Sequence, residues 1–153
     1  MALFDTKFEK GRQDWETPES IFSPLNDEFG FTLDVCASVL NKKCKLFYSI
    51  EDDGFNKEWV GSCWMNPPFG EQGKWVKKAY DESKKDNCLV VALLPARTNT
   101  VWWHKYCKDA EVRFILGRPK FVGAKYGLPQ PLSIVIFGGE SKTHFKTFEL
   151  LKE

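Results

Sequence analysis

Asn66, Pro67, Pro68 and Phe69 follow directly on a short apolar run, Cys63-Trp64-Met65. Neither proline has an N–H, so a strand arriving here cannot carry its ladder through them. Pro68 also keeps Pro67 out of the helical region. Asn66 is therefore expected at the end of a strand with its carboxamide in a fixed place. Phe69 follows on a rigid turn, and Gly70 lets the chain turn away. An amide, unpaired carbonyls and a ring within four residues make a small receptor for a planar group bearing an NH2. The same residues also describe a strand that ends in a proline-rich turn, with Phe69 in the core.

The elements that would hold such a receptor can be read in order. Thr17-Pro18-Glu19 is a helix start, with Thr17 as cap, Pro18 in the first turn and Glu19 at the positive end. Ile21, Phe22, Leu25 and Phe29 then recur at helical spacing, and Pro24 threatens to break or kink the run. Residues 31–35 read as the first strand, delivering Asp34 and then Cys36-Ala37-Ser38 at its carboxyl end, where ligand crevices of open parallel sheets lie. Leu46-Phe47-Tyr48 reads as a short second strand, followed by Glu51, Asp52 and Asp53 before Gly54. A helix is expected from Gln72 or Gly73, with Trp75, Val76, Ala79 and Tyr80 on one face and lysines on the others. Residues 88–94 suit a buried parallel strand. Thr98 or Thr100 then caps a helix carrying Val101, Trp102, Trp103 and Tyr106. His104 has no second ligand or acid–base partner near it in sequence and reads as a surface or packing residue. Residues 111–116 and Leu132–Phe137 complete the strands, and Phe145, Phe148 and Leu151 close the chain as an edge strand or short helix. Alternating strands and helices predict an α/β fold with a mostly parallel sheet covered on both faces.

Composition bounds the rest. A chain of 153 residues makes one domain, expected over residues 14–153, with residues 1–13 loosely ordered. The formal net charge of +1 gives no global pull toward nucleic acid, so any phosphate-binding surface rests on local placement of cations. The loop with Arg118, Lys120 and Lys125, two rings and several glycines is the best local candidate, and Arg97 follows the strand at 88–94. That loop also reads as an ordinary solvated one. Five scattered cysteines and two histidines point to free thiols in a reducing cytoplasm and to no metal site. No signal peptide or membrane span is expected.

Asn-Pro-Pro-Phe resembles the catalytic motif of the amino-methyltransferases that use S-adenosylmethionine, written Asp/Asn-Pro-Pro-Tyr/Phe/Trp in the DNA adenine-N6 branch. The wider sequence resembles the small DNA N-6-adenine methyltransferases of phages and prophages. The matching pieces are Asp14-Trp15-Glu16-Thr17-Pro18, Leu33-Asp34-Val35-Cys36-Ala37-Ser38, Met65 to Gly70, Leu94-Pro95-Ala96-Arg97-Thr98, Trp102-Trp103-His104 and Gly117-Arg118-Pro119-Lys120-Phe121, in family order. The resemblance implies a Rossmann-like methyltransferase fold in trimmed form, closed by an antiparallel C-terminal hairpin and lacking a separate target-recognition domain.

It further implies catalysis by Asn66, Pro67, Pro68 and Phe69 on an adenine flipped out of double-stranded DNA, with direct transfer and no covalent enzyme intermediate. S-adenosylmethionine is expected against Trp15, Thr17 and Pro18, Asp34, and Cys36, Ala37 and Ser38. The ribose would go to one of the acids 51–53, with Asp53 as the candidate. The usual glycine pair of the cofactor motif is missing: no glycine lies between Gly30 and Gly54. Arg97, Arg118, Lys120 and Lys125 are the expected DNA contacts, and a homodimer is one way for so small a domain to span a duplex. The motif leaves open cytosine N4, RNA or a release-factor glutamine as acceptor, and also a nucleic-acid-binding protein of this fold without turnover.

Overall fold

The computed structural model describes residues 16–68, 70–139 and 145–151. The expectation for residues 1–13 lies outside them.

The first helix, α1 (Glu19–Phe29), forms because Ile21, Phe22 and Leu25 fall on one stripe, and all three are buried. It stops at Gly30, whose φ of 58° is left-handed and whose N–H donates to Asn26 at 2.8 Å. Pro24 does not break it. A proline there leaves the Ser20 carbonyl without its helical donor, and the Leu151 N–H from the far end of the chain donates to that oxygen at 3.4 Å. The expected capping by Thr17 is not what forms. Pro18 holds the N-cap position in extended conformation, without a side-chain cap.

Strand β1 (Leu33–Asp34) pairs in parallel with β2 (Gly61–Met65), and β2 in parallel with β3 (Cys88–Pro95). Helix α2 (Gln72–Ser83) connects β2 to β3 and buries Trp75, Val76 and Ala79, the face expected of it. Thr100 caps the segment after β3, its Oγ1 accepting from Trp103 N–H at 3.3 Å, and a π-helical turn, Trp103–Cys107, follows. His104 donates from Nε2 to the Thr98 carbonyl at 2.6 Å, a local brace. The second strand expected at 46–48 shrinks to one bridge, Phe47 to Asp34, flanked by the Asp34 N–H on Leu46 O and the Tyr48 N–H on Asp34 O.

The closing strands differ from expectation. β5 (Leu132–Phe137) and β6 (Phe145–Phe148) are not neighbours, because β4 (Glu111–Ile115) lies between them in the order β1-β2-β3-β5-β4-β6. β5 runs antiparallel to both β3 and β4, and β6 lies parallel to β4 at the edge. Burial explains the placement: all six residues of β5 are buried, so it needs a neighbour on each side and a layer on each face. The antiparallel connection therefore joins β4 to β5, one strand earlier than expected. Among the described strands, β5 alone is reversed in an otherwise co-directional sheet.

Successive strand residues feed two cores. Val90, Ala92 and Leu94 face α2, Trp59 and Trp103, while Val91 and Leu93 face α1, Phe121 and Leu128. This two-faced covering is the α/β arrangement of a Rossmann-like core. Buried Arg113 of β4 donates to both carboxylate oxygens of Glu28 at 2.6 and 2.7 Å and to buried Glu111, riveting α1 to the sheet. No described helix is long and apolar enough to cross a membrane.

Candidate active site

The ladder between β2 and β3 ends at Met65 opposite Ala92, so Asn66 is the first residue beyond it. Pro67 and Pro68 offer no N–H to extend it. The Pro68 carbonyl accepts from Glu71 N–H at 3.3 Å, and Gly70, at a φ of 89°, turns the chain into α2. Phe69 lies outside the described residues, as does Trp15. The Asn66 carboxamide is held from a distance: its Nδ2 donates to Thr17 Oγ1 at 3.0 Å. Thr17 is 1% exposed. Its hydroxyl thus serves the amide of Asn66 rather than the start of α1, and the bond defines which end of the amide is donor and which is acceptor.

Asp34 lies one strand over, paired with Trp64, and is 2% exposed. Its carboxylate accepts from Lys43 N–H at 2.9 Å and Cys36 N–H at 3.4 Å. Burial pushes its pKa up to about 6, against the opposing pull of those two amides. The loop from 36 to 43 thereby closes on Asp34 without glycine. Ser38 and Asn41 complete it reciprocally, Ser38 N–H donating to Asn41 Oδ1 at 2.6 Å and Asn41 N–H to Ser38 Oγ at 3.2 Å. The close backbone approach that a glycine pair would supply comes later in the chain. A Cβ at Gly54 would collide with the Val35 carbonyl oxygen and Tyr48, so only glycine lets that turn pack on the strand end.

These pieces enclose a cavity of about 380 Å³ at the carboxyl ends of β1 and β2. Of the expected residues, Thr17, Asp34, Cys36, Ala37, Ser38, Asn66 and Pro68 line it. Pro18, Pro67 and Asp53 do not. Asp53 is exposed, in left-handed conformation, and accepts from the Asn56 side chain. Asp52 is likewise engaged, accepting from Ser49 N–H and Oγ, which hold its carboxyl below the usual range.

Asn41, Lys43, Ile50, Trp64 and Glu71 line the cavity without having been singled out in the sequence. Lys43 reads there as one cation of a basic run. In the fold its side chain is 7% exposed, bonded to Glu19 at 2.8 Å, 3.5 Å from Glu16 and 5.7 Å from the Phe22 ring centre. The bond from Lys43, and then that from Ser23, keeps the Glu19 carboxyl below its ordinary range. The signal was the pair Glu16 and Glu19 at the head of α1, which need a cation. With Lys43 already shared between two acids and Glu71 paired with Lys74, Asp34 is the lining acid without a salt bridge among the described residues, and it favours a ligand carrying positive charge.

The four expected DNA contacts stand on two segments of the chain. Arg118, Lys120 and Lys125 are exposed on the loop between β4 and β5, while Arg97 follows β3. That loop is anchored by buried Phe121 and Leu128, closed where Gly127 packs against the Arg118 backbone, and pinned beside Thr17 by Val122 N–H on Glu16 O at 3.0 Å.

A family described as DNA N-6-adenine-methyltransferase (Dam) matches residues 5–131. Among individual proteins, the chain is 35% identical over 99 residues to a DNA N-6-adenine-methyltransferase of Escherichia phage T1, covering 63% of this chain and 41% of that one. It is 34% identical over 100 residues to a protein of the same description from Haemophilus phage HP1, covering 63% of this chain and 58% of that one. The chain thus spans about half the length of these relatives. The family match runs through Thr17, Asp34, Asn66 and the basic loop alike, and on that extent the chain belongs to the DNA N-6-adenine-methyltransferase (Dam) family.

Proposed function

We propose that this chain transfers a methyl group from S-adenosylmethionine to N6 of an adenine flipped out of duplex DNA. One observation carries the reading: the Asn66 amide stands just past the end of β2, oriented by Thr17, lining the same cavity as Asp34. The cavity fits the cofactor on two counts. Its volume of about 380 Å³ falls in the ~300–1,000 Å³ range of small-molecule sites, and the Asp34 carboxylate on its wall suits a ligand bearing a sulfonium and an ammonium. When bound, S-adenosylmethionine supplies an electrophilic methyl group.

The chain's own residues address the other reactant. The lone pair of an adenine amino group is delocalised into the ring and must be localised before it can attack. Asn66 Oδ1 and the Pro67 carbonyl serve as acceptors for the two N6 hydrogens. Two acceptors on one nitrogen draw it toward tetrahedral geometry and stabilise the positive charge that grows during transfer. Thr17 contributes by positioning: with Nδ2 engaged on its hydroxyl, the amide presents its oxygen end away from Thr17. The rigid Pro67-Pro68 backbone keeps the carbonyl in place without reorganisation. Arg97, Arg118, Lys120 and Lys125 serve the phosphates around the extruded base.

The test is incubation with labelled methyl donor and unmethylated DNA, RNA or a release factor, then digestion. N6-methyladenine from DNA is expected. Asn66→Ala should lower the rate about a hundredfold, the cost of one oriented acceptor. Label recovered only in N4-methylcytosine, RNA or glutamine would overturn the assignment.

A further inference from the structure

Beside the cofactor cavity, and sharing Glu71 with it, lies a second depression, between the start of α2 and the segment after β3. Its walls carry an unusual combination. Arg97 is exposed and forms no side-chain hydrogen bond or ion pair among the described residues, yet its backbone is fixed. Its N–H donates to Pro95 O at 2.8 Å, and its carbonyl accepts from Thr100 N–H at 3.1 Å and Thr100 Oγ1 at 2.7 Å. Trp102 lines the same depression. A Cβ on Gly73 would sit 3.1 Å from Trp102 Cδ1, so the indole lies close against the start of α2. The other charges cancel, since Lys74 bonds Glu71 at 2.9 Å. What remains is one unpaired guanidinium on a rigid base and a half-buried indole lining the same depression, next to the turn that follows Asn66.

We propose that this depression holds the nucleotide flanking the flipped adenine on the same strand, with Arg97 on its phosphate and the Trp102 ring against its base or sugar. The proposal rests on the DNA-methylation reading and extends it to a second nucleotide. A guanidinium and a flat ring lining one depression match a phosphate and a base face, both present in every nucleotide. The site therefore grips the strand without reading sequence, and it steadies the backbone from which the target base has swung out.

The adenine that the protein methylates is first mapped on plasmid DNA. Short duplexes containing it are then made with a single neutral methylphosphonate at each backbone position in turn. Binding of each duplex is compared for the wild-type protein and Arg97→Gln. One position, within one nucleotide of the target adenine, should weaken wild-type binding about tenfold and leave Arg97→Gln unaffected. Trp102→Ala should raise the KM for DNA about tenfold or more, with Trp102→Phe restoring most of it and cofactor affinity unchanged in both. If every neutral position weakens the two proteins equally, or if Trp102→Ala leaves the KM for DNA unchanged, this site is misassigned while the methylation reading stands. A wild-type protein that yields no N6-methyladenine overturns the functional reading instead, and this site with it.

Discussion

Replacing Thr17 by valine keeps the volume of the side chain and removes one oxygen. The structure makes that oxygen the acceptor for Asn66 Nδ2 at 3.0 Å, at a position 1% exposed to solvent. A neutral hydrogen bond of this kind contributes about 0.5–1.5 kcal/mol, and leaving a partly buried donor without its partner costs about 1–3 kcal/mol. Folding absorbs part of that cost, because the amide can rotate toward solvent. That rotation takes Oδ1 away from the transferring nitrogen, so the rest falls on the transition state. A loss of about 1–2 kcal/mol there corresponds to roughly a 5–30-fold lower kcat. Cofactor affinity should change by less, about threefold, since Thr17 contributes one of a dozen lining residues. Thr17→Ser keeps the hydroxyl and should retain most of kcat. The assay is single-turnover methyl transfer at saturating DNA, with cofactor Kd from calorimetry. A Thr17→Val protein with wild-type kcat, or one that loses only cofactor affinity, would refute the positioning role.

Asp34 sets a pH dependence. Its pKa is raised from 3.8 to about 6, chiefly by burial. The folded state therefore holds the proton more tightly than the unfolded one. The stability this confers is fully present below pH 3.8 and is lost as pH rises through about 6. The gap amounts to on the order of 3 kcal/mol, and urea denaturation from pH 4 to 8 should show the fall flattening above pH 6, with Asp34→Asn abolishing it. Arg113→Met removes the cation from Glu111, which is 7% exposed, and should destabilise the fold by about 3 kcal/mol; a second change, Glu111→Leu, should recover much of that in the same measurement. Gly54→Ala places a methyl against the Val35 carbonyl and should displace the turn after Phe47, weakening cofactor binding several-fold in calorimetry.

The parts of the fold legible in the sequence were those whose cause is local. The prolines after Met65 stop a ladder wherever they stand. The apolar run of β3 calls for burial on both faces, and the stripe of Trp75, Val76 and Ala79 on α2 defines its inner surface. What was not legible depends on partners far along the chain. Thr17 carries every local mark of a helix cap, but an amide 49 residues away takes its hydroxyl. Pro24 looks like a helix breaker until the Leu151 N–H occupies the carbonyl it orphans. Lys43 looks solvated until Glu16 and Glu19 fold over it. The pairing of β6 with β4 could not be read because β5, by virtue of all six residues being buried at once, takes an interior position between β3 and β4.

These distant partners converge on one short stretch. Glu16 accepts the Val122 N–H from the basic loop and pairs with Lys43 of the cofactor loop, Thr17 holds Asn66, and Glu19 holds Lys43 again. Three parts of the proposed site, each built on a different strand end, are thus referenced to four consecutive positions at the head of α1. A change there reaches the cofactor cavity, the acceptor amide and the basic loop together. A change on the inner face of α2, by contrast, acts through packing and spreads its cost over the whole fold. Buried apolar stripes could be found by periodicity because each residue answers to the same core. The segment 16–19 could not, because each of its polar groups answers to a different element, and only the assembled sheet brings those elements within reach.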